Sequence, residues 1–159
     1  MKFFADCHLG KIAKYLRIFG FDTLYFQTID DDDILDIATK EDRIILTSDK
    51  ELFLRSKHLD ALYVAHGEFE EQLKKIFWHY NLFDKSVPMS RCIKCNGKLK
   101  KIEKAEVISD LKIKTKKYFD TFHICEDCGS IYWPGDHHKN MLKFVNDFIA
   151  QNKKESFKN

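Results

Sequence analysis

The chain has 159 residues and a formal net charge of +2, enough for one ordinary domain, or for a body of about 90 residues with a small appended module, but too short for two large domains. Six glycines, two prolines, 44% apolar residues and 14 phenylalanines exclude a collagen-like or low-complexity chain and supply a real core. The charge is uneven: residues 1–88 carry 12 Lys and Arg against 16 Asp and Glu, net −4, and residues 89–159 carry 15 against 9, net +6, so the second part is the first hint of a polyanionic partner.

Along residues 1–88 short β-rich runs alternate with helical patterns, the signature of an α/β domain around a mainly parallel sheet. Lys2 to Asp6 reads as a strand. Leu9, Ile12, Ala13, Leu16 and Phe19 recur at helical spacing, with Gly20 placed to end the helix. Thr23 to Phe26 is a second strand, and the acidic turn Asp30 to Asp33 leads into a helix carrying Ile34, Leu35, Ile37 and Ala38. Arg43 to Thr47 reads as a buried strand, followed by a short helix near Lys50 to Arg55, a strand near Ala61 to Val64 and an amphipathic helix from Phe69 to Tyr80. There is no internal repeat. No apolar run approaches the ~18 residues of a membrane span. The N-terminus reaches Asp6 before a signal-peptide core can form. A soluble, cytoplasmic protein with no membrane partner is expected.

Asp84 to Ser90, with Pro88, is the boundary candidate, dividing the chain into 1–88 and 89–159. Beyond it Cys92-x-x-Cys95 and Cys125-x-x-Cys128 form two pairs separated by 29 residues. Four thiolates suit tetrahedral Zn2+, and the two-residue spacer lets both sulfurs of a pair reach one ion. An iron site of rubredoxin type or a redox dithiol are the alternatives. A site closed by four protein ligands leaves no place for substrate, so its role is scaffold. His123, His137 and His138 are then surface or packing histidines rather than ligands. Cys7 lacks a partner and reads as buried and inert. Tyr132 and Trp133 are expected to pack over the metal, with base stacking as a second role. Leu111 to Lys116 alternates strictly, which on a strand puts Lys112, Lys114 and Lys116 on one face. Met141, Leu142, Val145, Phe148 and Ile149 predict a final helix that packs back on the body, before a polar, frayed end.

The carboxylates are the other candidate site. Asp6 ends the first strand, Asp49 follows the third, and Asp30 to Asp33 precede the helix between them. In parallel sheets the C-terminal strand ends converge on one edge, where loops form the site. Several carboxylates in one cleft call for a hard cation such as Mg2+ or Mn2+, which predicts phosphoryl-transfer chemistry. Taken singly, Asp31 can be a helix cap, Asp32 and Asp33 first-turn charges, and Asp49 a cap for the helix behind it. No P-loop and no G-x-S-x-G elbow occurs, and His8 stands where a haloacid-dehalogenase site needs its second aspartate.

Asp6-Cys7-His8-Leu9-Gly10-Lys11, Tyr15-Leu16-Arg17-Ile18-Phe19-Gly20-Phe21-Asp22, the acidic turn before Ile34-Leu35, and Arg43-Ile44-Ile45-Leu46-Thr47-Ser48-Asp49 together resemble the Mut-seven C-terminal RNase domain family, a branch of the PIN-like nucleases. Ser90-Arg91-Cys92-Ile93-Lys94-Cys95-Asn96-Gly97, Cys125-Glu126-Asp127-Cys128-Gly129 and Ile131-Tyr132-Trp133-Pro134-Gly135-Asp136-His137 are similar to its zinc ribbon. The resemblance spans about residues 1–145. The sequence departs from the family at Ser48, often basic there, and at Cys7-His8, usually apolar.

The resemblance implies a three-layer PIN-like fold with a mainly parallel sheet, an appended zinc ribbon and a C-terminal helix. It also implies a metal-dependent ribonuclease whose products carry 5′-phosphate and 3′-hydroxyl ends. Asp6 and Asp49 match the family's acidic strand-end positions and Asp31 its acidic residue before the second helix, with Asp32 as substitute; these would hold Mg2+ or Mn2+. Asp60 and Glu68 are candidates for a fourth acid. Lys11, Lys14 and Arg17, on the helix leaving Asp6, could hold RNA phosphates or form a solvated face. The ribbon lysines, Lys112, Lys114 and Lys116 among them, could neutralise further phosphates; Tyr118, Phe119 and Phe122 beside them stack on bases or, more simply, pack in the core. The competing readings are a non-catalytic zinc-ribbon RNA-binding or ribosome-associated protein, and a protein-interaction module with zinc for stability.

Overall fold

A computed structural model describes residues 1–153; the expected polar end of the chain, residues 154–159, lies outside the described residues. Strands β1 (Lys2–Ala5), β2 (Asp22–Tyr25), β3 (Ile44–Thr47) and β4 (Ala61–Tyr63) form one sheet in the order β2-β1-β3-β4. All three pairings are parallel, with Phe4 opposite both Leu24 and Ile45. Such a sheet is covered on both faces. Side-chain alternation along β1 and β3 sends Phe3, Ala5, Ile44 and Leu46 to one face and Phe4 and Ile45 to the other.

Helices α1 (Gly10–Ile18) and α4 (Phe69–His79) cover the first face through Ile12, Ala13, Leu16, Leu73, Ile76 and Phe77. Helices α2 (Asp31–Glu41) and α3 (Lys50–Arg55) cover the second through Ile34, Ala38 and Leu52. This is the three-layer α/β arrangement expected. Gly20 turns the chain after α1 at φ +91°, where a Cβ would overlap the Val87 carbonyl, so only glycine fits.

The second sheet is antiparallel, β5 (Leu99–Ile102), β6 (Phe122–Cys125) and β7 (Ile131–Tyr132). Between β5 and β6 lie α5 (Lys104–Val107), a 3-10 turn and α6 (Ile113–Tyr118). The strand expected from Leu111 to Lys116 is therefore a correction: the segment enters a helix. Only Leu111 and Thr115, four residues apart, are buried, while Ile113 is 83% exposed. Leu111 and the cap Lys112 keep an extended backbone and the helix begins at Ile113, so Lys114 and Lys116, two apart on it, lie on different sides and Lys112 stands before it. Val107, Leu111 and Phe122 make the small core of this module, so Phe122 packs inside it, and Tyr118 stays exposed.

Helix α7 (Asp136–Lys153) begins five residues before the first apolar position that predicts it and packs back on the body. Val145 and Phe148 belong to the same core as α1 and α4, with the Phe148 ring 5.5 Å from Phe19 and 5.1 Å from Phe77. No helix among the described residues is long and apolar enough to cross a membrane.

Candidate functional site

Asp6 leaves β1 and is 2% exposed. Its Oδ1 accepts from the His8 amide at 2.8 Å, capping the 3-10 turn Cys7–Leu9 that starts α1. Its Oδ2 accepts from the Ser48 amide at 2.9 Å and from the Thr47 hydroxyl. Three donors thus fix the carboxylate across the C-terminal ends of β1 and β3 and leave lone-pair capacity unused. Asp49 is oriented by the same strand end: its amide donates to Thr47 Oγ1 at 2.9 Å, and its Oδ1 caps α3 by accepting from Glu51 at 2.6 Å and Leu52 at 3.2 Å. The cap foreseen for Asp49 is real, and it uses one of the two carboxylate oxygens.

Asp31 opens α2 and is held from across the loop by Arg55, which reaches Asp31 at 3.3 Å and also binds Asp32. Burial raises the Asp31 carboxyl, the Arg55 guanidinium opposes this, and the charges of Asp49, Glu51 and Asp32 push it further up; the net direction is upward. Asp31 and Asp49 therefore share one patch, with Glu51 as an acidic member that sequence reasoning missed. The carboxylates do not converge as tightly as a closed ligand cage: among the described residues only the four cysteines bring three or more donor atoms within 4.8 Å of one another.

Several other candidates are placed differently. Asp60 precedes β4, at the N-terminal edge of the sheet, where it accepts from Tyr80 at 3.0 Å; the strand separates it from the Asp6 and Asp49 edge. Glu68, N-terminal to α4, stands after β4 on the correct edge. Cys7 is exposed rather than buried, because the strand stops at Ala5 and the turn points the thiol outward. Lys11 and Lys14 are exposed, and Lys11 Nζ lies 4.1 Å from the Phe69 ring centre. His8 Nδ1 lies 3.7 Å from Asp6 Oδ1 and its ring 6.4 Å from that of His66, two histidines at the site edge that no spacing motif announces.

Arg17 is the clearest reassignment. It is 5% exposed, and its guanidinium donates to Thr23 O at 2.9 Å, Ile93 O at 3.1 Å and Lys94 O at 3.0 Å. A phosphate cannot reach it. Instead it ties α1 to the first cysteine knuckle, and its burial there lowers the guanidinium from its ordinary value, against the opposing pull of Cys95 and Cys92. Asn96 continues the seam: it adopts φ +75°, its oxygen accepts from the Thr23 amide at 2.8 Å, and its amide donates to Asp22 at 2.8 Å. Asp22 also pairs with Arg43 at 2.6 Å and Arg91 at 3.1 Å. The knuckle thus covers the open edge of β2, an edge that would otherwise present unpaired backbone.

The cysteine sulfurs themselves form a compact group. Cys92 and Cys128 Sγ are 3.6 Å apart and Cys95 and Cys125 Sγ 3.4 Å, close to the edge of about 3.8 Å that a tetrahedron of ~2.3 Å Zn–S bonds requires. Burial pushes the Cys95 thiol up to about 12, whereas the Ser130 hydroxyl and amide hold Cys128 down to about 6. Four thiolates this close need a cation, and the donor set fits zinc. Tyr132 steadies the cluster, its hydroxyl 3.1 Å from Cys92 Sγ while accepting from the Ile93 amide at 3.2 Å. A Cβ on Gly97 would lie 2.7 Å from Cys125 Sγ, so the knuckle needs glycine there. His123, His137 and His138 lie outside the four-sulfur group.

Comparison with curated proteins and with solved structures gives no match. The family model described as the Mut7-C RNAse domain matches residues 1–145. With a parallel α/β body, its acidic strand ends and a four-cysteine ribbon sealed to the sheet edge, the chain belongs to the Mut7-C RNAse domain family, which implies a ribonuclease.

Proposed function

We propose that the protein is a cytoplasmic, metal-dependent ribonuclease in which residues 1–88 form the nuclease body and residues 89–159 a zinc ribbon with its closing helix. The observation that carries this reading is the pairing of Asp6 and Asp49 at adjacent strand ends through Thr47 and Ser48. Asp6 and Asp49 would hold a Mg2+ or Mn2+ ion, with Asp31 or its neighbour Asp32 as the third carboxylate. When bound, such an ion neutralises charge on a phosphodiester undergoing hydrolysis. Thr47 and the Ser48 amide keep Asp6 oriented. Arg55 holds Asp31 and Asp32 until a cation replaces it, and the exposed Lys11 and Lys14 bind backbone phosphates beside the site.

The four cysteines would carry structural Zn2+, and the ribbon lysines, including Lys112, Lys114 and Lys116, would supply a salt-sensitive share of RNA affinity. With α6 helical from Ile113, Lys114 and Lys116 face different sides and do not form one row with Lys112. The test is cleavage of single-stranded RNA by zinc-loaded protein in Mn2+. Asp6→Asn with Asp49→Asn should abolish it, and unchanged cleavage in that pair overturns the assignment. A second reading, RNA binding without cleavage, draws on the Arg55 contacts that occupy Asp31 and Asp32; a wild-type protein that binds RNA but never cuts it establishes that reading instead.

A further inference from the structure

Where the ribbon meets the start of α7, two cavities of about 150 and 240 Å³ share Tyr132, Trp133 and His138 as walls. Met89 and Leu99 line one side and Met141 the other, so the lining is mostly apolar with aromatic faces. His138 is a wall of both cavities, and its Nδ1 is closed off from them and has no hydrogen-bond partner, so a turn of the ring is what would present it to a ligand. A buried ring nitrogen is normally paired, and one that is not marks a place where a ligand can supply the missing bond. Nothing in the metal site or the acidic site uses this nitrogen.

The strand register adds a charge. Lys101 of β5 lies opposite His123 of β6, which lies opposite Tyr132 of β7. Directly opposed residues share a face of the sheet, so an exposed lysine stands in the same row as two pocket residues. The net charge of residues 89–159 is +6. A flat ring with hydrogen-bonding edges and an attached phosphate is the chemistry this combination suits. Both cavities are below the ~300–1,000 Å³ typical of drug-sized ligands, which favours one ring system over a larger molecule. Gly135 is part of the construction: a Cβ there would press on Trp133 Nε1 at 3.0 Å.

We infer that this pocket receives one unstacked nucleobase of single-stranded RNA, held between the Tyr132, Trp133 and Pro134 walls, read at its edge by His138 once its ring turns Nδ1 into the cavity, and with its phosphate on Lys101. Splayed bases stacked on aromatic side chains are the usual means of single-strand recognition. The inference rests on RNA being the substrate and assigns the ribbon a base contact beyond its lysine charge.

The experiment uses the full zinc-loaded chain without added Mg2+ or Mn2+, carrying Trp78→Phe so that Trp133 is the only fluorophore of its kind. A single-stranded trinucleotide should quench Trp133, and the same trinucleotide with its central base removed should bind at least 10-fold more weakly. His138→Leu, with zinc content and unfolding midpoint measured alongside, should lose a similar factor. Equal quenching by the intact and abasic trinucleotides overturns the inference, as does quenching reproduced by inorganic phosphate alone or unaltered binding in a folded His138→Leu protein. The abasic comparison needs no variant in the pocket, so it decides the matter even if His138→Leu does not fold. Base-dependent quenching in a protein that never cuts RNA leaves the pocket standing and removes the nuclease reading; cleavage without base-dependent quenching does the reverse.

Discussion

The Asp22 carboxylate accepts from Arg43 at 2.6 Å and from Asn96 at 2.8 Å, joining the buried end of β3 to the first cysteine knuckle through one side chain. Burial alone would raise this carboxyl, but the hydrogen bonds from Arg43 and Asn96 and the charges of Arg43 and Arg91 outweigh it and hold it low. Asp22→Ala leaves the buried Arg43 with Glu41 as its remaining carboxylate partner, and the expected cost is about 3 kcal/mol, read as a lower urea midpoint. Because the folded carboxyl titrates below its ordinary 3.8, the contribution is present above that value and is lost as pH falls through the depressed folded value. The stability gap between parent and Asp22→Ala is therefore flat around neutral pH and closes only in strong acid.

Chelation of the cysteine metal has a local signature on the body. The Thr23 amide donates to Asn96 and Arg17 to the Ile93 and Lys94 carbonyls, so unfolding of the knuckle strips partners from an edge strand and a buried guanidinium. Hydrogen exchange at Thr23 should accelerate by 10-fold or more on zinc removal, while amides of the central strand β1 such as Phe4 keep their protection. Equal protection at Thr23 with and without zinc would show that the ribbon does not seal the sheet edge.

Thr47→Val tests whether the orientation of Asp6 matters beyond stability. The substitution keeps shape and burial, removes one donor to Asp6 Oδ2, and deprives the Asp49 amide of its acceptor. A stability loss of about 1–2 kcal/mol is expected, with RNA cleavage in Mn2+ reduced by at least 10-fold in protein that is still folded. Serine at position 47 restores the hydroxyl and should recover most of the cleavage, which a purely packing role of the threonine methyl would not allow.

The order of strands and helices in the body is legible because short continuous apolar runs, buried on both faces in β1 and β3, alternate with 3.6-period stripes, and the cysteine spacing alone identifies the ribbon. The misreadings have separate physical causes. Leu111 to Lys116 alternates in sequence, but among the described residues no strand pairs with it, and the chain turns helical from Ile113. Arg17 has the position of a surface cation on α1 and is buried only because the knuckle, more than 70 residues later, supplies carbonyls. Arg55 and Glu51 enter the acidic patch through a tertiary approach of α3 to the start of α2 that no local spacing encodes. Asp60 stands before its strand and not after it, a placement that the sequence order itself carries.

Asp31 gives a pH prediction of opposite sign to Asp22. Burial and the charges of Asp49, Glu51 and Asp32 raise its folded value against the pull of Arg55, so the ionised form is disfavoured and protonation favours the fold as pH falls through the raised value. Carboxylate NMR titration should place Asp31 above 3.8, Arg55→Gln should move it higher, and saturating Mg2+ should move it down. Mg2+ affinity should correspondingly weaken as pH falls through the raised value, because binding must then release a proton. An Asp31 titration unaffected by Mg2+ would remove it from the ligand set.

Helix α7 closes the first face of the sheet, and Phe148 is its deepest aromatic contact, edge-on to Phe19 and Phe77 and stacked at 6.5 Å on Phe83. Apart from Phe144 on its own helix, its ring neighbours are Phe19 at the end of α1, Phe77 of α4 and Phe83 after it, all within the first 88 residues. Phe148→Ala should therefore cost about 3–5 kcal/mol, although the residue lies beyond the cysteine ribbon in sequence. Phe144, only partly buried, should cost less when truncated. If the ribbon and α7 formed a unit independent of the body, Phe148→Ala would lower the unfolding of that unit alone. The shared core instead predicts one cooperative transition in zinc-loaded protein, followed at once by far-UV signal and, in a Trp133→Phe background, by Trp78 fluorescence on α4, that shifts as a whole to lower denaturant.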